Sequence, residues 1–178
     1  FHGYSQGDAA AAGIDPASVP ANIKFVNSEF LNSDTAMIIR GRAQANNVTV
    51  QNCYIAKNNH GLRASGKGTF LVENCIFHDN MNIAGDIDND LGAVETVGRD
   101  GFTPALTIKN SLFVDNMSGD APGMSGTVGF DSRAAAVRIQ NDGTDPDVTI
   151  ENCTFVNNPI AIRFADGSAR PRKAAINN

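Results

Sequence analysis

A chain of 178 residues that is 42% hydrophobic and 19% charged is one domain with enough apolar material for a core. Its formal charge of −5 argues against duplex nucleic acid as a partner. No run of 18 apolar residues occurs, which leaves no helical membrane span, and three cysteines without a Cys-x-x-Cys pair offer no zinc site.

Residues 1–21 read as an N-terminal cap or linker. The Ala-rich part favours a short helical turn over the first coil, which Pro16 and Pro20 end. The chain opens on Phe1 with neither an initiator Met nor a signal peptide, which reads as a processed form or a piece of something longer. Five segments then repeat one pattern: IKFVNSEFLNS (23–33), VTVQNCYIAKN (48–58), FLVENCIFHDN (70–80), LTIKNSLFVDN (106–116) and VTIENCTFVNN (148–158). The fifth column is always Asn: Asn27, Asn52, Asn74, Asn110 and Asn152. A small residue follows each one (Ser28, Cys53, Cys75, Ser111, Cys153), and a large apolar residue comes two positions later (Phe30, Ile55, Phe77, Phe113, Phe155).

Before the Asn, apolar and polar residues alternate with the period of a β-strand, and after it they alternate again with the phase slipped by one. Asn tolerates the left-handed α conformation better than any residue but Gly. A single such residue turns the chain while both flanking strands keep one face inward. Five copies predict coils of a solenoid with strands in parallel about 4.8 Å apart. Stacked Asn amides can bond along the axis. A further strand per coil is expected in AMIIRGR (36–42), HGLRAS (60–65), GAVETVG (92–98), AAVRIQN (135–141) and IAIRFAD (160–166).

This pattern resembles the right-handed parallel β-helix, the pectate-lyase-like superfamily, with its single-residue Asn turn. The resemblance covers residues 22–166. The expected fold is therefore all-β, a parallel β-helix of about five coils with Asn turns, followed by a C-terminal tail at 167–178. Each Cys falls at the small inward position, so buried free thiols are expected rather than a Cys53–Cys75 disulfide.

Three outward faces follow. The first carries Arg40, Arg63, Glu95, Arg138 and Arg163 in one column, each pointing outward, with Glu95 able to pair with Arg63 and Arg138. Such a line suits an anionic glycan lying along the sheet, or a solvated ladder whose stems cover it. The resemblance also implies that active sites tend to lie on this sheet. A Ca²⁺-dependent lyase of uronate-containing glycans would hold the ion on Asp86, Asp88, Asp90 and Glu95 and use Arg63 or Arg138 as base. The loop departs from an EF-hand, since Leu91 stands where the Gly would be. HGLRASG faintly echoes polygalacturonases, but the carboxylates that hydrolysis needs are missing.

The second face, with Glu73, Lys109 and Glu151 alternating in sign, reads as structural. The third carries Glu29, Tyr54, Ile76, Leu112 and Thr154 in one column and Leu31, Ala56, His78, Val114 and Val156 in the next. A contiguous apolar strip of that kind marks a contact, either with the long excursions 81–91 and 117–131 or with another chain. The C-terminal end offers only Ile176 as cover. The leading expectation is an extracellular or cell-surface interaction or structural module, an adhesin, spike or filament subunit. It would contact other chains or copies of itself through the third face and the ends and could bind anionic polysaccharide. The Ca²⁺-dependent lyase is the alternative.

Overall fold

The computed structural model describes residues 2–4, 22–40, 46–80, 92–98, 101–116, 135–140, 146–165 and 173–177. Among the described residues all the elements are strands. They run β1 His2–Tyr4, β2 Asn22–Val26, β3 Glu29–Leu31, β4 Thr35–Arg40, β5 Asn46–Gln51, β6 Tyr54–Ala56, β7 His60–Ser65, β8 Gly68–Glu73 and β9 Ile76–His78. The rest are β10 Gly92–Val97, β11 Ala105–Lys109, β12 Leu112–Val114, β13 Ala135–Gln140, β14 Asp147–Glu151, β15 Thr154–Val156, β16 Ile162–Ala165 and β17 Lys173–Asn177.

Every third strand joins the same parallel sheet. Sheet A is β1-β4-β7-β10-β13-β16, sheet B is β2-β5-β8-β11-β14-β17, and sheet C is β3-β6-β9-β12-β15. The succession A, B, C repeats five times, and β16 and β17 open a sixth turn. The expected third strand is sheet A, and the predicted solenoid is observed. At both ends strands add to the sheets outside residues 22–166. His2–Tyr4 pairs in parallel with Ile38–Arg40, and the Ala-rich stretch where a helical turn is expected lies outside the described residues. Lys173–Asn177 pairs with Asp147–Glu151, so part of the tail continues sheet B.

The corners explain why the phase slips. Asn27, Asn52, Asn74, Asn110 and Asn152 all have φ between 49° and 54°. Each supplies one left-handed residue between sheets B and C, as their column predicts. Asn52 donates to the Asn27 carbonyl at 3.2 Å, Asn74 to Asn52 at 3.2 Å, and Asn152 to Asn110 at 3.3 Å, an exposed amide ladder. A second left-handed column closes each sheet C strand: Asn32, Lys57, Asp79, Asp115 and Asn157, with φ of 52°–57°. Directly after it comes a ladder inside the solenoid. Asn58 Nδ2 donates to Asn80 Oδ1 (3.1 Å), Asn80 to Asn116 (2.9 Å) and Asn116 to Asn158 (3.0 Å), while Ser33 Oγ donates to Asn58 Oδ1 at the N-terminal end. Each of these amides also donates to a backbone carbonyl of the preceding coil. Each Oδ1 accepts a backbone N–H from that coil as well. Buried polar groups are tolerated because every one of these bonds is made.

The core consists of stacked columns. Phe77, Phe113 and Phe155 lie ring on ring, with centroids 4.7 and 4.8 Å apart and planes within 9°. Those separations match the strand spacing, so a repeated inward aromatic in parallel sheets stacks by construction. The small column after the Asn turn carries a γ-donor that serves the carbonyl two residues back. Ser28 and Ser111 do so at 3.0 and 2.8 Å, and Cys53, Cys75 and Cys153 at 3.2–3.3 Å. That shared role accounts for Ser and Cys interchanging there. All three thiols are free and buried, as expected.

Candidate functional site: the outer face of sheet A

Pairing in sheet A fixes the charged column. Arg63 lies opposite Glu95, Glu95 opposite Arg138, and Arg138 opposite Arg163. Arg40 does not belong to it. Ile38 is the partner of Arg63, and Arg40 stands opposite Ser65, two residues further along. The reason lies in the inner ladder. Met37 follows Ser33 by four residues, as Leu62 follows Asn58, so Met37 rather than Ile39 enters the layer with Leu62. Counting the strand from its inward aliphatics alone cannot tell these alternatives apart, because a shift of two preserves both faces.

The column is also less exposed than outward-pointing side chains should be. Arg63 and Arg163 are half-buried, whereas Glu95 and Arg138 are 1% and 0% exposed. Strands β10 and β13 are buried along both faces up to their last residue. Beside the charges runs a column of small residues, Ala36, Gly61, Ala93 and Ala136, all buried. At Gly61 a Cβ would come within 2.0 Å of the Ala93 carbonyl oxygen, so the glycine is a requirement of close strand approach.

Glu95 is the hub. Its Oε2 meets Arg63 Nε at 3.2 Å, and its Oε1 receives Arg138 Nη1, which also donates to Gln140 Oε1 at 3.0 Å. The expected pairing of Glu95 with both arginines is thus present. The two guanidinium contacts offset the cost of taking the carboxylate out of water. The cluster sums to +1, and its accessible member is Arg63. Among the described residues nothing else pairs with the Arg63 guanidinium, so its two Nη groups remain available.

The remaining expected site residues sort as follows. Asp86, Asp88 and Asp90 lie outside the described residues. Among the described residues no group of three His, Cys, Asp or Glu side chains could hold a metal ion. Glu95 itself does not suit a cation, because each of its oxygens already faces a guanidinium. His60 opens β7 at a corner, its N–H on the Asp34 carbonyl at 2.7 Å.

The fold and the site geometry belong together. The chain belongs to the right-handed beta helix family. The family model, described as right handed beta helix region, matches residues 7–178. No curated protein and no solved structure matches the chain. The family accounts for the three parallel sheets and says nothing of a reaction.

On the other two faces of this β-helix the columns are those expected. On sheet B, Lys109 Nζ pairs with Glu151 at 3.2 Å and Gln51 donates to Glu73 at 2.9 Å. On sheet C, Leu31, Ile76 and Val156 are exposed to about two-fifths. Tyr54 Oη and His78 Nδ1 lie 3.0 Å apart, and His78 Nε2 lies 3.8 Å from Asp115 Oδ2. The sequence places Tyr54 and His78 in neighbouring columns of neighbouring coils. Their contact is diagonal, and column-by-column reading passes over it. Burial pushes the Cys75 thiol up to about 11 and raises that of Cys153, so neither is a nucleophile near neutral pH.

Proposed function

We propose that this β-helix is a non-catalytic binding module of a secreted or cell-surface protein, and that sheet A holds an anionic polysaccharide. The carrying observation is the Arg63–Glu95–Arg138 cluster. Glu95 fixes Arg63 through Nε, and Arg138 offsets the charge of Glu95, so a positioned fork of net positive charge faces outward. A guanidinium held in place loses less side-chain freedom on meeting a carboxylate or sulfate group.

The same pairing weighs against the Ca²⁺-dependent lyase. A base must give up its proton, and a guanidinium beside a carboxylate is the last group to do so. Arg138, fully buried, has no access to substrate.

The test is titration of the chain with oligogalacturonate and with heparin oligosaccharide, alongside an assay for unsaturated products with Ca²⁺ and with chelator. Expected are salt-sensitive binding that falls at least tenfold in Arg63→Ala, and no product. Equal binding by Arg63→Ala would overturn the site. Product that depends on Ca²⁺ would restore the lyase.

A further inference from the structure

Among the described residues sheets A and B hold six strands and sheet C five. Sheet C therefore ends on β15, one strand spacing short of the level that β16 and β17 reach. The corner leading into that level is closed from the sheet B side, since the N–H of Asn152 meets the Asn177 carbonyl at 3.0 Å. The free edge of β15 is the floor of a notch one strand deep, about 4.8 Å.

What each inner coil gives to the next sets the chemistry of this edge. The carbonyl of the small column accepts a backbone N–H from the next coil, Cys53 from Ile76 at 3.0 Å and Cys75 from Leu112 at 2.9 Å. The N–H of the second left-handed residue donates onward, Lys57 to the His78 carbonyl at 3.2 Å and Asp79 to that of Val114 at 3.1 Å. The carbonyl of the large apolar residue and the N–H of the inner Asn both meet the next ladder amide, Ile55 and Asn58 through Asn80, Phe77 and Asn80 through Asn116. At β15 the corresponding groups are the carbonyls of Cys153 and Phe155 and the N–H groups of Asn157 and Asn158. Among the described residues none of these four has a partner. The aromatic stack ends at the same edge, where Phe155 is half-buried while Phe77 and Phe113 are fully buried. A strand edge of this kind is a template for a further strand.

We infer that the β15 edge accepts one extended strand of another protein, in parallel, with the pattern small-x-Phe-x-Asn/Asp-Asn. Its small residue lies over Cys153, its ring over Phe155 and its last Asn over Asn158. That Asn accepts the Asn158 N–H on Oδ1 and donates its amide to the Phe155 carbonyl, as Asn116 does for Asn80 and Phe77. Main-chain bonds then supply the attachment, and the ring and the amide supply the selectivity. A second copy stacked end to end does not meet these demands. With its β1 on β16 and its β2 on β17, its β3 would stand two strand spacings, about 9.6 Å, from β15. The site shares no residue with the sheet A cluster, and either can stand without the other.

The experiment titrates the whole chain into a fluorescently labelled peptide that copies residues 110–116, NSLFVDN, and follows anisotropy. Expected is saturable binding with half-saturation below about 1 mM. In the complex, amide exchange at Asn157 and Asn158 should slow, as read by NMR. Phe113→Ala or Asn116→Ala in the peptide should weaken binding at least tenfold, and the reversed sequence should not bind. Absence of saturation overturns the proposal, as does equal binding of the reversed or Ala-substituted peptides, or protection confined to other amides. Self-association of the chain alone that protects Asn157 and Asn158 would give the edge to a second copy and overturn the proposal as well.

Discussion

Asn80→Ala tests whether the inner amide ladder holds the coils together. Asn80 is fully buried. Its amide donates to the Ile55 carbonyl and to Asn116 Oδ1, both at 2.9 Å, and its Oδ1 accepts from the N–H of Asn58 at 3.2 Å and from Asn58 Nδ2 at 3.1 Å. Truncation takes one of two donors from the Ile55 carbonyl, which keeps its place in the sheet C ladder, and leaves two hydrogens on Asn58 without their acceptor. Asn116 Oδ1 keeps the backbone N–H of residue 80, which does not depend on the side chain. A buried group left without its partner costs about 1–3 kcal/mol. Two such groups give roughly 2–6 kcal/mol. Residue 80 is not among the positive-φ positions, so Ala brings no backbone strain of its own. The control is Asn74→Gly, which removes an exposed ladder bond while keeping a residue at ease with φ of 53°. It should cost under about 1 kcal/mol. Urea unfolding of both variants, with the slope compared to wild type, reads the difference. A loss below 1 kcal/mol for Asn80→Ala would mean that strand pairing and apolar stacking alone fix the coils, and that the ladder is a passenger.

Four further substitutions probe other layers. Glu95→Gln leaves the buried Arg138 without its carboxylate and should cost about 3–5 kcal/mol, whereas Arg63→Ala removes a partner that is about a third exposed and should cost at most ~1 kcal/mol; unfolding curves that rank the two the other way would show that Arg63 and not Arg138 balances the buried charge. Gly61→Ala has no room for its methyl against the Ala93 carbonyl and should abolish folding, read by loss of the strand signal in circular dichroism. The Cys75 thiol is raised from 9.0 to about 11 in the folded chain by burial. Its contribution is fully present below pH 9, and up to roughly 3 kcal/mol of it is lost as pH climbs toward 11, since the unfolded thiol ionises first. Cys75→Ala should flatten that alkaline decline in a pH series of melting curves, and an unchanged decline would assign it to other groups.

The corner asparagines were legible because a left-handed residue leaves two marks at once, a preferred amino acid and a slip in the alternation around it. Asn27 through Asn152 show both. The second left-handed column, Asn32, Lys57, Asp79, Asp115 and Asn157, is marked more weakly, since four of its five residues are Asn or Asp but no single type runs through it. A neighbour betrays it. Asn58, Asn80, Asn116 and Asn158 recur one position later, and an Asn repeated where the pattern turns inward signals a buried ladder rather than a solvated loop.

The charged column on sheet A failed in a different way. Outward parity was read correctly for Arg63, Glu95, Arg138 and Arg163, and strand pairing brings those four into line. Parity, however, decides which face a side chain leaves from and not whether that face meets water. Ala36, Gly61, Ala93 and Ala136 lie beside the charges on the outward parity and are buried. A surface meant for solvent has no need of four small residues in a row, so this column carried the sign that sheet A is covered near its centre. Glu95 then follows. A carboxylate placed between two arginines on an exposed sheet would add little, but under cover it is what balances the buried charge of Arg138. The arrangement therefore divides one row of like side chains by role, with Arg138 balancing a buried anion and Arg63 left to meet whatever approaches from outside.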